Sequence, residues 1–238
     1  LATAYRMLFG WRPNVLRPGQ NVLVWGASGG LGVFAVQLCA VSGAHAIGVV
    51  SSEDKKDYVL SMGAKAVINR NDFKCWGQLP KVNGPEFNDY MKESRKFGKA
   101  IWEHTGGKDV DIVFEHPGEA TFPVSVLVCK RGGMVVICAG TTGYNLTMDA
   151  RFLWMRQKGV EGSHFAHLYH ASQANQLVID RRIDPAMSEV LPWEKIPDAH
   201  EKMLDNKHAP GNMAVLVNAQ RSGLRTYEDV LELSGARG

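Results

Sequence analysis

The sequence predicts an α/β chain with a doubly wound, six-stranded parallel sheet (Rossmann architecture), and two observations carry that prediction. Apolar runs alternate with helical stretches along most of the chain. The runs are apolar throughout rather than at every second position, as expected of strands covered on both faces. The first of them, 21–25, also runs through a glycine-rich turn straight into a helix.

Taken in order, the turn at Arg17-Pro-Gly-Gln sets up the strand at 21–25, and helical spacing over 31–42 follows. An apolar strand at 45–50 precedes an amphipathic helix over 53–62 that stops at Gly63. Strands follow at 66–68, 110–114, 134–138 and 159–163, with helices at 88–104, 119–129 and 148–157 between them. Right-handed crossovers then place the ligand crevice at the carboxyl ends of the strands. Residues 71–88 are rich in Gly, Pro and Asn and read as a surface insertion. Beyond 184 a helix beginning around Pro-Trp-Glu-Lys-Ile-Pro and a strand at 212–217 lie outside the six. The domain expectation is therefore 1–183 for the sheet domain and 184–238 for a segment of another. The opening Leu-Ala-Thr-Ala-Tyr-Arg-Met-Leu-Phe looks like the interior of a helix, without initiator Met or signal pattern, and reads as part of something longer.

Composition excludes several classes. Of 238 residues, 45% are hydrophobic and 21% charged, ordinary globular values that leave no room for disorder. A net charge of +3 with interspersed signs gives nucleic acid no footing. Cysteines at 39, 75, 129 and 138 form no CxxC pair or zinc-lobe spacing, which points to a reducing, cytoplasmic setting. The stretch 29–50 has the length of a membrane span, but Gly43 and Gly48 divide it into a buried helix and a buried strand.

The turn at 26–32, Gly-Ala-Ser-Gly-Gly-Leu-Gly, is the dinucleotide fingerprint with Ala27 in its first place. Small residues permit a tight turn, and the amides of Ser28, Gly29, Gly30 and Leu31 at a helix N-terminus suit a pyrophosphate. The second strand ends Val49-Val50-Ser51-Ser52, where an NAD site would place Asp or Glu on the ribose 2′-hydroxyl. Ser51 and Ser52, with Lys55 one turn along and Arg70 after the third strand, suit a 2′-phosphate and hence NADP(H). Against this stand the nearby Glu53 and Asp54, and the alternative that Lys55 is a solvated helix charge.

GASGGLG followed by SSEDK, the MGA-x-x-VIN stretch and GG-x-VV-x-x-AG resemble the medium-chain dehydrogenase/reductase superfamily. FGWRPNVLRPGQNVLVWGASGGLG, the insertion, FEHPGEATFPVSV, DARFLWMRQK and VEGSHFA more narrowly resemble crotonyl-CoA carboxylase/reductases, over nearly the whole chain. The resemblance implies NADPH-dependent reduction of an enoyl-CoA with capture of CO2. It also implies a catalytic domain ahead of this portion, a C-terminal segment returning to it, and a homo-oligomer. His164 matches the family histidine that helps bind CO2 through an ordered water; the alternative is a histidine packed at a strand end.

Other candidates are weaker. His116 ends the fourth strand and suits the nicotinamide pocket, or is a turn residue before Pro117. Ala139, Gly140 and Thr141 end the fifth strand and suit the nicotinamide edge, or form a plain turn. Arg151, with Arg156 and Lys158, suits coenzyme A phosphates, or is a solvated face. His164, His167 and His170 lack the ligands to complete a zinc site, and no metal is expected. Cys138 reads as a small buried residue without a base beside it. Two further readings stay open: a non-carboxylating NADPH enoyl-thioester or quinone reductase, and a cofactor-binding regulatory protein on the same fold.

Overall fold

The computed structural model describes residues 1–205 and 207–217. Six strands, β1 (Asn21–Val24), β2 (His45–Val50), β3 (Ala66–Asn69), β4 (Val110–Glu115), β5 (Cys129–Ile137) and β6 (Gly159–Gly162), form one sheet in the order β3-β2-β1-β4-β5-β6. Every pairing is parallel. The order reverses direction between β1 and β4, so the crevice of a doubly wound sheet opens there.

Each strand divides its side chains by period two between two cores. Val22 and Val24 of β1 and Ile112 and Phe114 of β4 face helices α1 (Ala2–Phe9) and α2 (Gly32–Val41). Helix α2 is apolar all round, with eight of its ten residues buried, because the sheet covers one side and α1 the other. The stretch of membrane-span length is thus α2 followed by β2. Among the described residues no helix is long and apolar enough to cross a membrane.

On the opposite face Leu23, Trp25 and Val113 meet α4 (Phe87–Thr105) and α5 (Phe122–Val128). The α4 helix ends at Gly106 in a left-handed turn that closes onto the Trp102 carbonyl. Phe97, wholly buried on α4, stacks on Trp25 at 5.6 Å and meets Phe73 and Trp76 edge-on at 5.3 Å each. The stretch expected to be a surface insertion therefore packs inward at Phe73, Cys75 and Trp76.

Some boundaries differ from expectation. The fifth strand begins at Cys129, ahead of the Gly132-Gly133 pair: Cys129 pairs with Val110, and the register then shifts so that Ile112 meets Met134, with 130–133 left outside the ladder. The helix expected over 119–129 starts only at Phe122. The helix expected over 148–157 contracts to α6 (Ala150–Trp154). Two elements were not foreseen: helix α7 (Leu168–Ile179), which packs on α1, and strand β7 (Met187–Pro192). Strand β7 pairs in parallel with β8 (Asn212–Leu216) as a separate two-stranded sheet, with α8 (Ile196–Leu204) between them. Of the expected 184–238 segment, positions 206 and 218–238 lie outside the described residues.

Phe97→Ala removes the ring that joins α4 to β1 and is expected to lower unfolding free energy by about 3–5 kcal/mol. A denaturant titration of the variant against the parent protein checks this.

Candidate functional site: a cleft at the sheet switch point

A cleft of about 240 Å³ opens where the carboxyl ends of β1 and β4 diverge. One wall is the turn from β1 into α2. Gly26 adopts φ +55°, and a Cβ there would stand 2.6 Å from His116 Nε2. At Gly32 a Cβ would stand 2.3 Å from the Gly26 carbonyl oxygen, so the turn closes tightly only if both residues lack side chains. Gly29 N–H donates to Gly26 O at 3.0 Å, which curls Ser28 and Gly29 into the cleft wall. At the start of α2 Val33 N–H donates to Gly29 O at 2.9 Å, and the positive dipole end of the helix suits a pyrophosphate.

The second wall is the end of β4. His116 Nε2 lies 3.1 Å from the Trp25 carbonyl oxygen, which can only accept, so this nitrogen carries the proton. Burial holds the imidazole below the usual histidine range, so the ring is neutral at neutral pH. Beneath it Glu115 is fully buried. Its Oε1 accepts from Gly118 N–H at 3.1 Å and Thr121 Oγ1 at 2.8 Å; its Oε2 accepts from Ser125 Oγ. Ser125 Oγ in turn accepts from Trp25 Nε1 at 2.8 Å. Burial pushes this carboxyl up to about 7, outweighing the hydrogen bonds that favour its charged form. The network explains why α5 begins late: residues 118–121 form a turn held on Glu115.

Ser51, Lys55 and Arg70, expected to meet the ribose, line one corner of the cleft together. Neither cation enters a salt bridge among the described residues, and Arg70 Nε is shielded from solvent with no hydrogen-bond partner. Glu53, which argued against a phosphorylated ribose, is engaged elsewhere: Oε2 pairs with Lys56 at 2.7 Å and Oε1 accepts from Asn69 Nδ2 at 3.3 Å. Those bonds hold its carboxyl below the usual range. No carboxylate lines the cleft among the described residues.

The remaining candidates sit at different distances from this centre. Thr141 lines the cleft and its N–H donates to His116 O at 3.3 Å, with Ala139 and Gly140 just before it on the chain. Gly30 faces the Asn212 side chain, Leu31 is the N-cap of α2, and Ser52 precedes the 3-10 turn that carries Lys55. His164 lies just past β6, exposed and outside the cleft lining, with its carbonyl oxygen accepting from Arg6 Nη1 at 3.0 Å. Arg151 is not brought to the cleft. It holds Asp149, the N-cap of α6, through two nitrogens, and lines a separate groove with Arg95 and Arg156.

Sequence reasoning missed His208 and Pro210, which complete the cleft from the far end of the chain. Only the small-residue run Ala-Pro-Gly-Asn at 209–212 hinted at a tight approach. Burial pushes the Cys138 thiol up to about 11, so it is no nucleophile at neutral pH. His167 and His170 stack at 3.9 Å, and no group of three or more His, Cys, Asp or Glu is placed to hold a metal among the described residues.

Glu115 gives the fold a definite pH response. Its folded value lies above the usual 4.5, so its contribution is complete below pH 4.5 and is lost as pH climbs through about 7. Thermal melts between pH 4.5 and 8 should show parent stability falling over that range. Glu115→Gln, which cannot ionise, should lack that component of the fall.

The family model described as zinc-binding dehydrogenase matches residues 30–180. The described residues offer no donor set for the metal in that description. Crotonyl-CoA carboxylase/reductase of Cereibacter sphaeroides is 70% identical over 98% of this chain, which covers 54% of that protein. The solved crotonyl-CoA carboxylase/reductase AntE in complex with NADP is 46% identical with a TM-score of 0.91, over 92% of this chain and 55% of that one. The 2-octenoyl-CoA carboxylase reductase CinF, in complex with NADP and 2-octenoyl-CoA, is 37% identical with a TM-score of 0.85, over 98% and 51%. The chain thus spans about half the length of these relatives. With 151 of its 238 residues under the family model, it belongs to the zinc-binding dehydrogenase family and is a relative of the crotonyl-CoA carboxylase/reductases.

Proposed function

We propose that this chain is the cofactor-binding portion of an NADPH-dependent enoyl-CoA carboxylase/reductase, of the type that converts crotonyl-CoA and CO2 to ethylmalonyl-CoA. The observation that carries the reading is the cleft itself: a phosphate-suited turn, two unpaired cations at the ribose corner and no lining carboxylate, on a chain 70% identical to such an enzyme. Segment 184–238 belongs, on this reading, with a catalytic domain supplied by the rest of the polypeptide.

The amides of the β1–α2 turn hold the pyrophosphate, while Ser51, Lys55 and Arg70 hold the 2′-phosphate. The bound cofactor supplies hydride to the substrate β-carbon, and the electron pair left at the α-carbon forms the new bond to CO2. His116, neutral and fixed through Nε2, and the 139–141 turn shape the nicotinamide end of the cleft without adding charge. His164 stands past the carboxyl end of the neighbouring strand and donates, directly or through water, to the oxygens that gain charge as the carbon–carbon bond forms. If a proton reaches the α-carbon first, the product is simply reduced, so excluding water decides the outcome. Arg151, with Arg95 and Arg156, offers a cationic groove for the phosphates of coenzyme A. Half-exposed β6 at the sheet edge and the exposed Trp154 support assembly with further copies.

In the full-length protein Arg70→Ala should weaken NADPH binding about 10–100-fold, as expected for loss of a charge-assisted bond, and leave NADH nearly unchanged. Calorimetric titration of both nucleotides reads this, and equal losses would remove Arg70 from the ribose corner. His164→Asn should raise the share of reduced over carboxylated product about tenfold at limiting bicarbonate while NADPH oxidation continues. Product masses from crotonyl-CoA with and without bicarbonate decide it. An unshifted ratio would take the CO2 role from His164, and a parent protein making only reduced product would favour the non-carboxylating reductase.

A further inference from the structure

We infer that His208 is a further ligand of the dinucleotide, hydrogen-bonded to one of its phosphates and carried into the cleft by a strap over residues 207–212. The inference rests on the cofactor reading above and adds a residue from outside the six-stranded sheet. His208 and Pro210 line the same cleft as Ser51, Lys55 and Arg70. His208 Nδ1 is shielded from solvent and has no hydrogen-bond partner, as is true of Arg70 Nε. Two nitrogens desolvated and unpaired in one cleft free of carboxylates are a cost that folding alone leaves uncompensated, and an anion with several acceptor oxygens would relieve both.

The strap is not placed by chance. Gly211 N–H donates to Ser28 O at 3.0 Å, and Gly29 and Gly211 form a parallel bridge. Asn212 N–H donates to Ala186 O at 2.7 Å, and Asn212 Nδ2 to Pro185 O at 3.3 Å, which ties the strap to the start of the second sheet. The phosphate turn itself therefore sets the position of His208, three residues before the bridge. The adjacent Lys207 is no substitute, since it is exposed and paired with Asp205 at 2.8 Å.

The test titrates NADPH and NADH into the full-length parent protein, His208→Ala and His208→Gln, and records melting temperature with and without nucleotide. His208→Ala should bind NADPH about tenfold more weakly and lose part of the nucleotide-induced rise in melting temperature. The free protein should melt close to the parent, because the shielded nitrogen has no protein partner to lose. His208→Gln, which retains a donor, should recover part of the affinity. Loss for NADPH alone assigns the 2′-phosphate; equal loss for both nucleotides assigns the pyrophosphate. Unchanged affinity for both nucleotides in a folded Ala variant overturns the role of His208 while leaving the cofactor reading intact, and if the Ala variant does not fold, His208→Leu, which fills the space without a donor, decides on the same readout. A parent protein that binds no NADPH removes the cofactor reading and this inference together.

Discussion

The site depends on how closely the main chain can approach itself between β1 and α2. With no side chain at Gly26 or Gly32, the turn folds back until Gly29 bonds to Gly26, and the end of β1 lies against His116. That approach does two things at once. It directs the start of α2 at the place where β1 and β4 part, and it leaves main-chain amides, not side chains, to face a ligand. A dianionic pyrophosphate is well served by such donors, because they are fixed before binding and carry no charge that must be desolvated.

Glu115 shows how the neighbouring wall is kept compatible with an anion. A carboxylate directly under His116 would add negative charge beside the cleft. Burial pushes the carboxyl up to about 7 and so reduces that charge, and three accepted hydrogen bonds turn its side chain into an anchor for the 118–121 turn and, through Ser125, for Trp25. The same group therefore links the aromatic core on the α4 side to the rim of the cleft. His116 follows the same logic: burial keeps it neutral, and a main-chain carbonyl fixes its orientation. Positive charge is left to Lys55 and Arg70 at one corner, which is how a cleft can discriminate between two nucleotides that differ by one phosphate.

The six strands and the glycine turn were legible because their signals are local. A strand covered on both faces reads as an apolar run, and a turn with no room for Cβ reads as glycine. That Ser51, Lys55 and Arg70 share one cleft was legible for the same reason, since strand ends converge at the crevice of this fold, whereas Ser52 stays outside its lining. What stayed hidden rests on distant partners. Strand β7 is only partly buried and polar in pattern, and it exists because β8, some twenty residues on, pairs with it. The early start of β5 depends on the pairing of Cys129 with Val110 across a break in register, and the late start of α5 on a carboxyl upstream of it. Arg151 reads in sequence as an available cation, yet it is held by Asp149 and faces a groove of its own.

The part of the cleft that local pattern could not reveal is the part that joins it to the rest of the polypeptide. The 207–212 strap comes from the two-stranded sheet, not from the sheet that holds the phosphate turn, and it meets that turn through main-chain contacts at Ser28 and Gly29. Main-chain contacts of this kind are indifferent to side-chain identity, so neither segment advertises the other. They nevertheless join the two, because Gly211 N–H on Ser28 O and the Gly29–Gly211 bridge fix the strap against the turn. A cofactor seated on the turn would thereby stabilise the register between the two sheets as well as its own pocket. That coupling gives a physical reason for a cleft lined from both sheets.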